Sequence, residues 1–124
     1  MQTGSNHGQD SIVAIVDQAG VPYDGKPTRQ NSYGFVRFIH HATDRSLNLG
    51  FQEREGRFVA DFVFKRKVPN EGEAKLDAFL RLFGGEVGRR ETPFARLKPR
   101  FDEEAWLIDV IRAYWAMGRP MPRL

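Results

Sequence analysis

Apolar and polar residues alternate with a period of two through three neighbouring stretches, Tyr33 to His41, Ser46 to Glu53 and Arg57 to Lys67. That period marks strands, because successive side chains of extended chain point to opposite faces of a sheet. In the middle stretch Leu47, Leu49 and Phe51 alternate with Ser46, Asn48, Gly50 and Gln52, so one face is apolar and the other wet. The third stretch sets Phe58, Ala60, Phe62 and Phe64 against Arg57, Asp61 and Lys65, with Val59 and Val63 sharing the second face. The connections, residues 42–45 and 54–56, are of hairpin length, which predicts an antiparallel meander.

The period changes after Pro69. Leu76, Phe79, Leu80 and Phe83 are spaced i, i+3, i+4, i+7 behind Asn70-Glu71-Gly72-Glu73, which predicts a helix that Gly84-Gly85 stops. A second helix is expected from Asp102, whose side chain suits an N-cap, to Gly118-Arg119-Pro120. Its apolar set, which includes Ala105, Trp106, Leu107, Ile108, Val110, Ile111, Tyr114 and Trp115, is wider than one sheet covers. Either this helix is buried on several sides, or part of it meets a partner or a second copy of the chain.

Upstream, the five residues Ile12 to Val16 form a short apolar run that reads as a strand, and the turn formers of 18–32 read as a long loop. Phe94 to Arg100 is a candidate edge strand. The expected fold is α+β: an antiparallel sheet of about four strands, the N-terminal strand plus the meander, with two C-terminal helices on one face. Residues 11–118 form the single domain in this reading, 1–10 a disordered N-terminus and 119–124 an extended C-terminal tail.

Composition narrows the function classes. No apolar run approaches the ~20 residues of a membrane span, and the N-terminal thirty residues lack the basic and apolar regions of a secretion signal, so a cytoplasmic protein is expected. The chain has no cysteine, which removes disulfides, thiol nucleophiles and thiolate metal sites. A net charge of +3 is compatible with a polyanionic partner without requiring one.

One segment carries a recognisable signature. Asn31-Ser32-Tyr33-Gly34-Phe35-Val36-Arg37-Phe38 contains Tyr-Gly-Phe-Val-x-Phe, which resembles the RNP1 octamer of RNA-recognition domains and, more loosely, the aromatic strand of cold-shock domains. The likeness covers eight residues; Asn31 and Ser32 stand where the octamer has a basic residue and a glycine, and too little chain precedes Tyr33 for the strand, helix and strand of an RNA-recognition domain. The resemblance implies stacking of bases on Tyr33 and Phe35, with Arg37 next in line for a phosphate. The plainer alternative places both rings in the core of a Phe-rich sheet.

Basic residues gather at Lys65-Arg66-Lys67, at Arg89, Arg90, Arg96, Lys98 and Arg100, and at Arg119 and Arg123. They suit a nucleic-acid backbone, an acidic protein surface, or simply a solvated face. His40, His41 and Asp44 could suggest a metal, but neighbouring strand residues face opposite ways. Asp61 with Glu73-Ala74-Lys75 superficially matches a nuclease core, although the Glu and Lys fall in a helix. No catalytic spacing, metal site or cofactor is implied.

The sites therefore point to a small non-enzymatic binding module. In one version the aromatic strand and basic patch (Tyr33, Phe35, Arg37, Arg89, Arg90, Arg96, Lys98, Arg100) hold single-stranded nucleic acid. In the other, an inhibitor, immunity or adaptor protein of bacterial, phage or plasmid type docks a protein target, or forms a homodimer, through Trp106, Tyr114 and Trp115.

Overall fold

Both hairpins of the meander turn through the same device. Strands β2 (Phe35–His40) and β3 (Arg45–Gln52) are joined by a short 3₁₀ turn, His41–Thr43, and β3 and β4 (Arg57–Val63) by another, Glu53–Glu55. Each turn ends on a residue in the left-handed region, Asp44 at φ 56° and Gly56 at φ 64°, whose N–H returns to the carbonyl of the turn's first residue. Asp and Gly are among the residues that adopt this conformation most cheaply. These contacts belong to a computed structural model of the protein, which describes residues 9–30, 34–64, 71–89 and 92–117.

The meander is the middle of a larger sheet. A short strand β1 (Thr28–Gln30) pairs with β2, and the segment after α2 (Glu71–Phe83) returns as β5 (Glu86–Arg89) and β6 (Pro93–Leu97). The order is β1-β2-β3-β4-β6-β5, antiparallel throughout. The expected four strands are thus six, and the Phe94 to Arg100 segment supplies an interior strand, with β5 as the edge.

The N-terminal strand expected at Ile12 to Val16 is instead a helix, α1 (Gln9–Ala19). Ile12, Ile15, Val16 and Ala19 are its buried residues, spaced i, i+3, i+4, i+7. The short apolar run hid this longer period, and tertiary packing outweighs the β preference of Ile and Val. Gly20, at φ 71°, follows the helix in the left-handed conformation common after helix ends. With α3 (Glu104–Ala116) the described residues hold three α-helices, one N-terminal, one in the middle and one C-terminal, rather than two at the C-terminus.

All three cover one face of the sheet. Val36, Phe38, Leu47, Leu49, Phe58, Ala60, Phe62, Ala95 and Leu97 point into a single core with the apolar residues of α1, α2 and α3. Helix α3 is apolar on several sides because it is clasped on several sides. Tyr114 meets Phe62 and Phe64 of the sheet, Arg112 donates to the carbonyls of Gln18 and Ala19 at the end of α1, and Trp115 Nε1 donates to Pro22 O at 2.8 Å. Tyr114 and Trp115 are 1% and 2% exposed. As expected interface residues they are corrected: both are core anchors whose polar atoms bond to backbone.

The core also contains a polar clasp. Tyr114 Oη accepts from Ser46 N at 2.9 Å and lies 2.5 Å from Val63 O, at the paired ends of β3 and β4. Buried Arg45 donates to the carbonyls of Tyr114 and Met117 at the C-terminus of α3 and to that of Thr43 in the turn before β3, which ties the helix end to the first hairpin. No helix among the described residues is long and apolar enough to cross a membrane.

Candidate functional site

With the helices on one side, the other, open face of the sheet carries exposed Arg37 and the partly buried Phe35, Asn48 and Phe94, while Ser46, Val59 and Asp61 are buried on it. Strand register sets one residue from each strand in line across it: Thr28, Arg37, Asn48, Asp61, Arg96 and Glu86. Cross-strand neighbours in such a row lie close enough to bond. Arg37 Nε donates to Asn48 Oδ1 at 3.1 Å, and Arg96 grips Asp61 with two bonds of 2.7 and 2.8 Å. The Asp61 carboxylate, itself buried, raises the Arg96 pKa, so the cation is secured. Arg37 is exposed.

An aromatic ring lies on each side of this row. Phe35, two residues before Arg37, rests on Gly50 of β3: a Cβ at Gly50 would stand 2.9 Å from the ring's Cδ1. Phe94 rests likewise on Gly88 of β5, where a Cβ would meet the ring's Cζ at 2.0 Å. The guanidinium of Arg96 stands over this second ring, 5.6 Å from its centroid. The absence of a side chain on the neighbouring strand lets each ring lie along the sheet, half-buried. Three strand spacings and four residues separate Phe35 from Phe94, a diagonal of about 19 Å.

Further cations border the rings. Lys98 and Arg57 continue the open face beyond the row, and Arg57 Nη1 donates to Lys98 O at 2.6 Å. Arg100 pairs with Arg57 in an isolated bridge and faces Asp102 and Glu103 at 3.6 and 3.8 Å, so its charge is partly met within the chain.

Of the residues singled out in the sequence, the fold therefore brings Phe35, Arg37, Arg96 and Lys98 onto one surface, with Arg100 at its end. Arg89 lies in edge strand β5, opposite Pro93. Tyr33 and Arg90 lie outside the described residues, as do Lys65-Arg66-Lys67, Arg119, Arg123 and the segments 1–8 and 118–124. Phe94, Asn48 and Arg57 belong to the same face and were not among the site residues named from the sequence, although Asn48 and Arg57 were placed on the wet side of their strands. The alternation of Phe94, Arg96 and Lys98 with buried Pro93, Ala95 and Leu97 carried the signal for Phe94.

The remaining candidates lie apart. His41 Nδ1 and backbone N both meet Asp24 Oδ2, at 2.7 and 2.8 Å, while His40 Nδ1 meets Thr43 Oγ1 at 2.7 Å. The bonds from His41, backbone first, hold the Asp24 carboxyl below its usual pKa. Asp44 is the left-handed turn residue, and no group of three or more His, Asp or Glu converges among the described residues. Asp61 is on the open face while Glu73 and Lys75 are on α2 across the sheet, so the nuclease-like spacing does not assemble. Trp106, at the start of α3, is 41% exposed and packs edge-on against Phe83 of α2.

Compared with protein-family models, with curated proteins and with solved structures, the chain matches none.

Proposed function

We propose that this protein is a non-enzymatic binding module that holds single-stranded nucleic acid on the open face of its sheet. The observation that carries the reading is Phe35: its half-buried ring lies against Gly50 on the face of β2 turned from the helices, two residues from exposed Arg37. Stacking on an exposed ring is tolerant of sequence because every base has a π face, and each stacked base contributes ~1 to 3 kcal/mol. Phe94, with the Arg96 guanidinium over its ring, adds aromatic and cationic surface on the far side of the polar row. Arg37, Arg57, Arg96 and Lys98 outnumber Asp61 and Glu86 on this face, so its charge complements a phosphate backbone.

The test is fluorescence anisotropy of a labelled unstructured oligonucleotide across a salt series, with Phe35→Ala and Phe94→Ala beside the wild type. Binding that weakens steeply with salt, and falls in each variant while the circular dichroism stays native, supports the reading. No binding at low salt ends it.

A second reading rests on Trp106. With Leu82 of α2 (69%) and Val87 of β5 (42%) it is one of three large apolar side chains left in water among the described residues. In this reading the protein is an inhibitor, immunity or adaptor protein that captures a protein partner. The open aromatic face favours the first reading, because it combines stacking surface with charge.

A further inference from the structure

We propose that the Arg37–Asn48 pair is a base-reading element that selects guanine at the nucleotide stacked on Phe35. The inference rests on the nucleic-acid reading above and adds a specificity that stacking alone lacks.

The geometry begins with parity. Phe35 and Arg37 are two residues apart on β2, so both side chains rise from the same face, about 6.8 Å apart along the strand. Asn48 lies directly opposite Arg37 on β3. A base stacked on Phe35 therefore presents one of its edges to the Arg37–Asn48 pair.

The chemistry follows from which atoms are already engaged. Arg37 Nε donates to Asn48 Oδ1, which fixes the orientation of the Asn amide, since its Nδ2 could not accept from Nε. The bond holds the guanidinium and occupies one of the two lone pairs of the pair's one acceptor. The hydrogen-bonding atoms the pair has left over are mostly donors: the two Nη groups of Arg37 and the Nδ2 of Asn48. The next carboxylate in the row, Asp61, has both oxygens engaged by Arg96. This part of the face thus supplies hydrogens and little to receive them.

Guanine fits such a surface best. Its N7 and O6 are two adjacent acceptors with no amino group between or beside them on that edge, the pattern a guanidinium meets with two parallel bonds. Adenine places its N6 amino group beside N7, and thymine or uracil has N–H at N3 beside its carbonyl. Cytosine's N3 and O2 are followed by the N4 amino group, which would face the donors of the pair. The larger purine ring also covers more of Phe35 than a pyrimidine does.

The experiment uses the full chain and a set of labelled nine-residue thymidine oligonucleotides whose central position is dT, dC, dA, dG or 7-deaza-dG. The expected result is about tenfold tighter binding of the dG oligonucleotide than of the dT one, with 7-deaza-dG losing most of the gain because N7 is gone. Arg37→Gln and Asn48→Leu should each bring dG binding down to the level of dT in the same variant, so that the dG preference is lost over and above any general weakening from the missing Arg37 charge. Arg37 is exposed and outside the core, so Arg37→Gln keeps the fold, which circular dichroism verifies. If every oligonucleotide binds equally, the selectivity is absent although the nucleic-acid reading stands. An equal loss across the whole set in Arg37→Gln would mean a phosphate contact and overturn the proposal. Binding of none of them removes the underlying reading too.

Discussion

Phe35 lies on Gly50 so closely that a single methyl group at residue 50 would stand 2.9 Å from the ring. The atom met is in a side chain on a strand face open to solvent, so the ring has room to lift. Gly50→Ala is therefore expected to leave the protein folded, with a stability change below about 1 kcal/mol, because no core atom must move. Oligonucleotide affinity should fall by ~1 kcal/mol or more as the stacking platform tilts. Anisotropy and urea denaturation of the same sample separate the two effects. A collapse of the fold would show that Phe35 is held by more than Gly50.

Tyr114 joins α3 to the sheet by a buried hydroxyl that bonds to the backbone of Ser46 and Val63. Tyr114→Phe keeps the ring contacts with Phe62 and Phe64 but leaves those backbone groups short of a partner. The expected cost is ~1 to 3 kcal/mol at neutral pH, measured from urea midpoints. Burial also pushes this tyrosine's pKa well above its usual value. The unfolded chain then gives up the proton first, near pH 10, so the stability Tyr114 confers is present below that pH and declines as pH rises. The gap between wild type and Tyr114→Phe should narrow between pH 10 and 11.5, and a constant gap would contradict the burial.

The meander was legible in the sequence because Leu47, Leu49 and Phe51 sit on the face that meets the helices and Ser46, Asn48 and Gly50 on the face turned from them. The helix with Leu76 and Phe79 was legible for the same reason at another period. Ile12 to Val16 misled because a run of five apolar residues satisfies both periods, and the residue that distinguishes them, Ala19, follows two polar positions. Strand β5 could not be read: Glu86-Val87-Gly88-Arg89 has no apolar alternation, since Gly88 serves the Phe94 ring of the adjacent strand. The aromatic face was half legible. Phe35 and Arg37 followed from a motif, whereas the row that joins Arg37 to Arg96 depends on register among strands far apart in sequence.

Asp24 holds the turn after β2 from outside, accepting from both the backbone and the ring of His41. Its carboxyl titrates below the usual range, so the unfolded chain takes up a proton before the folded one does. The contribution is present above about pH 4, the ordinary carboxylate value, and is lost as pH falls through the lower folded value. Urea midpoints of wild type and Asp24→Asn should therefore differ at pH 6 and converge near pH 2. Midpoints that stay equally far apart at both pH values would show that the Asn variant acts by some route other than the charge.

The two tryptophans of α3 provide the sharpest contrast between packing and surface. Trp115 is 2% exposed with its indole N–H on Pro22 O, and Trp115→Ala would open a cavity and leave that carbonyl unpaired. A loss of ~3 to 5 kcal/mol is expected, enough to unfold much of a small domain. Trp106 is 41% exposed and meets Phe83 edge-on, so Trp106→Glu removes little buried area and should shift stability by about 1 kcal/mol or less. On the nucleic-acid reading this variant also keeps the wild-type oligonucleotide affinity and the wild-type mass in light scattering, because α3 lies across the sheet from the open face. A wild-type dimer that Trp106→Glu reduces to monomer would instead make the exposed end of α3 an interface between copies of the chain, and the surface around Leu82 and Val87 would be the place to look for its extent.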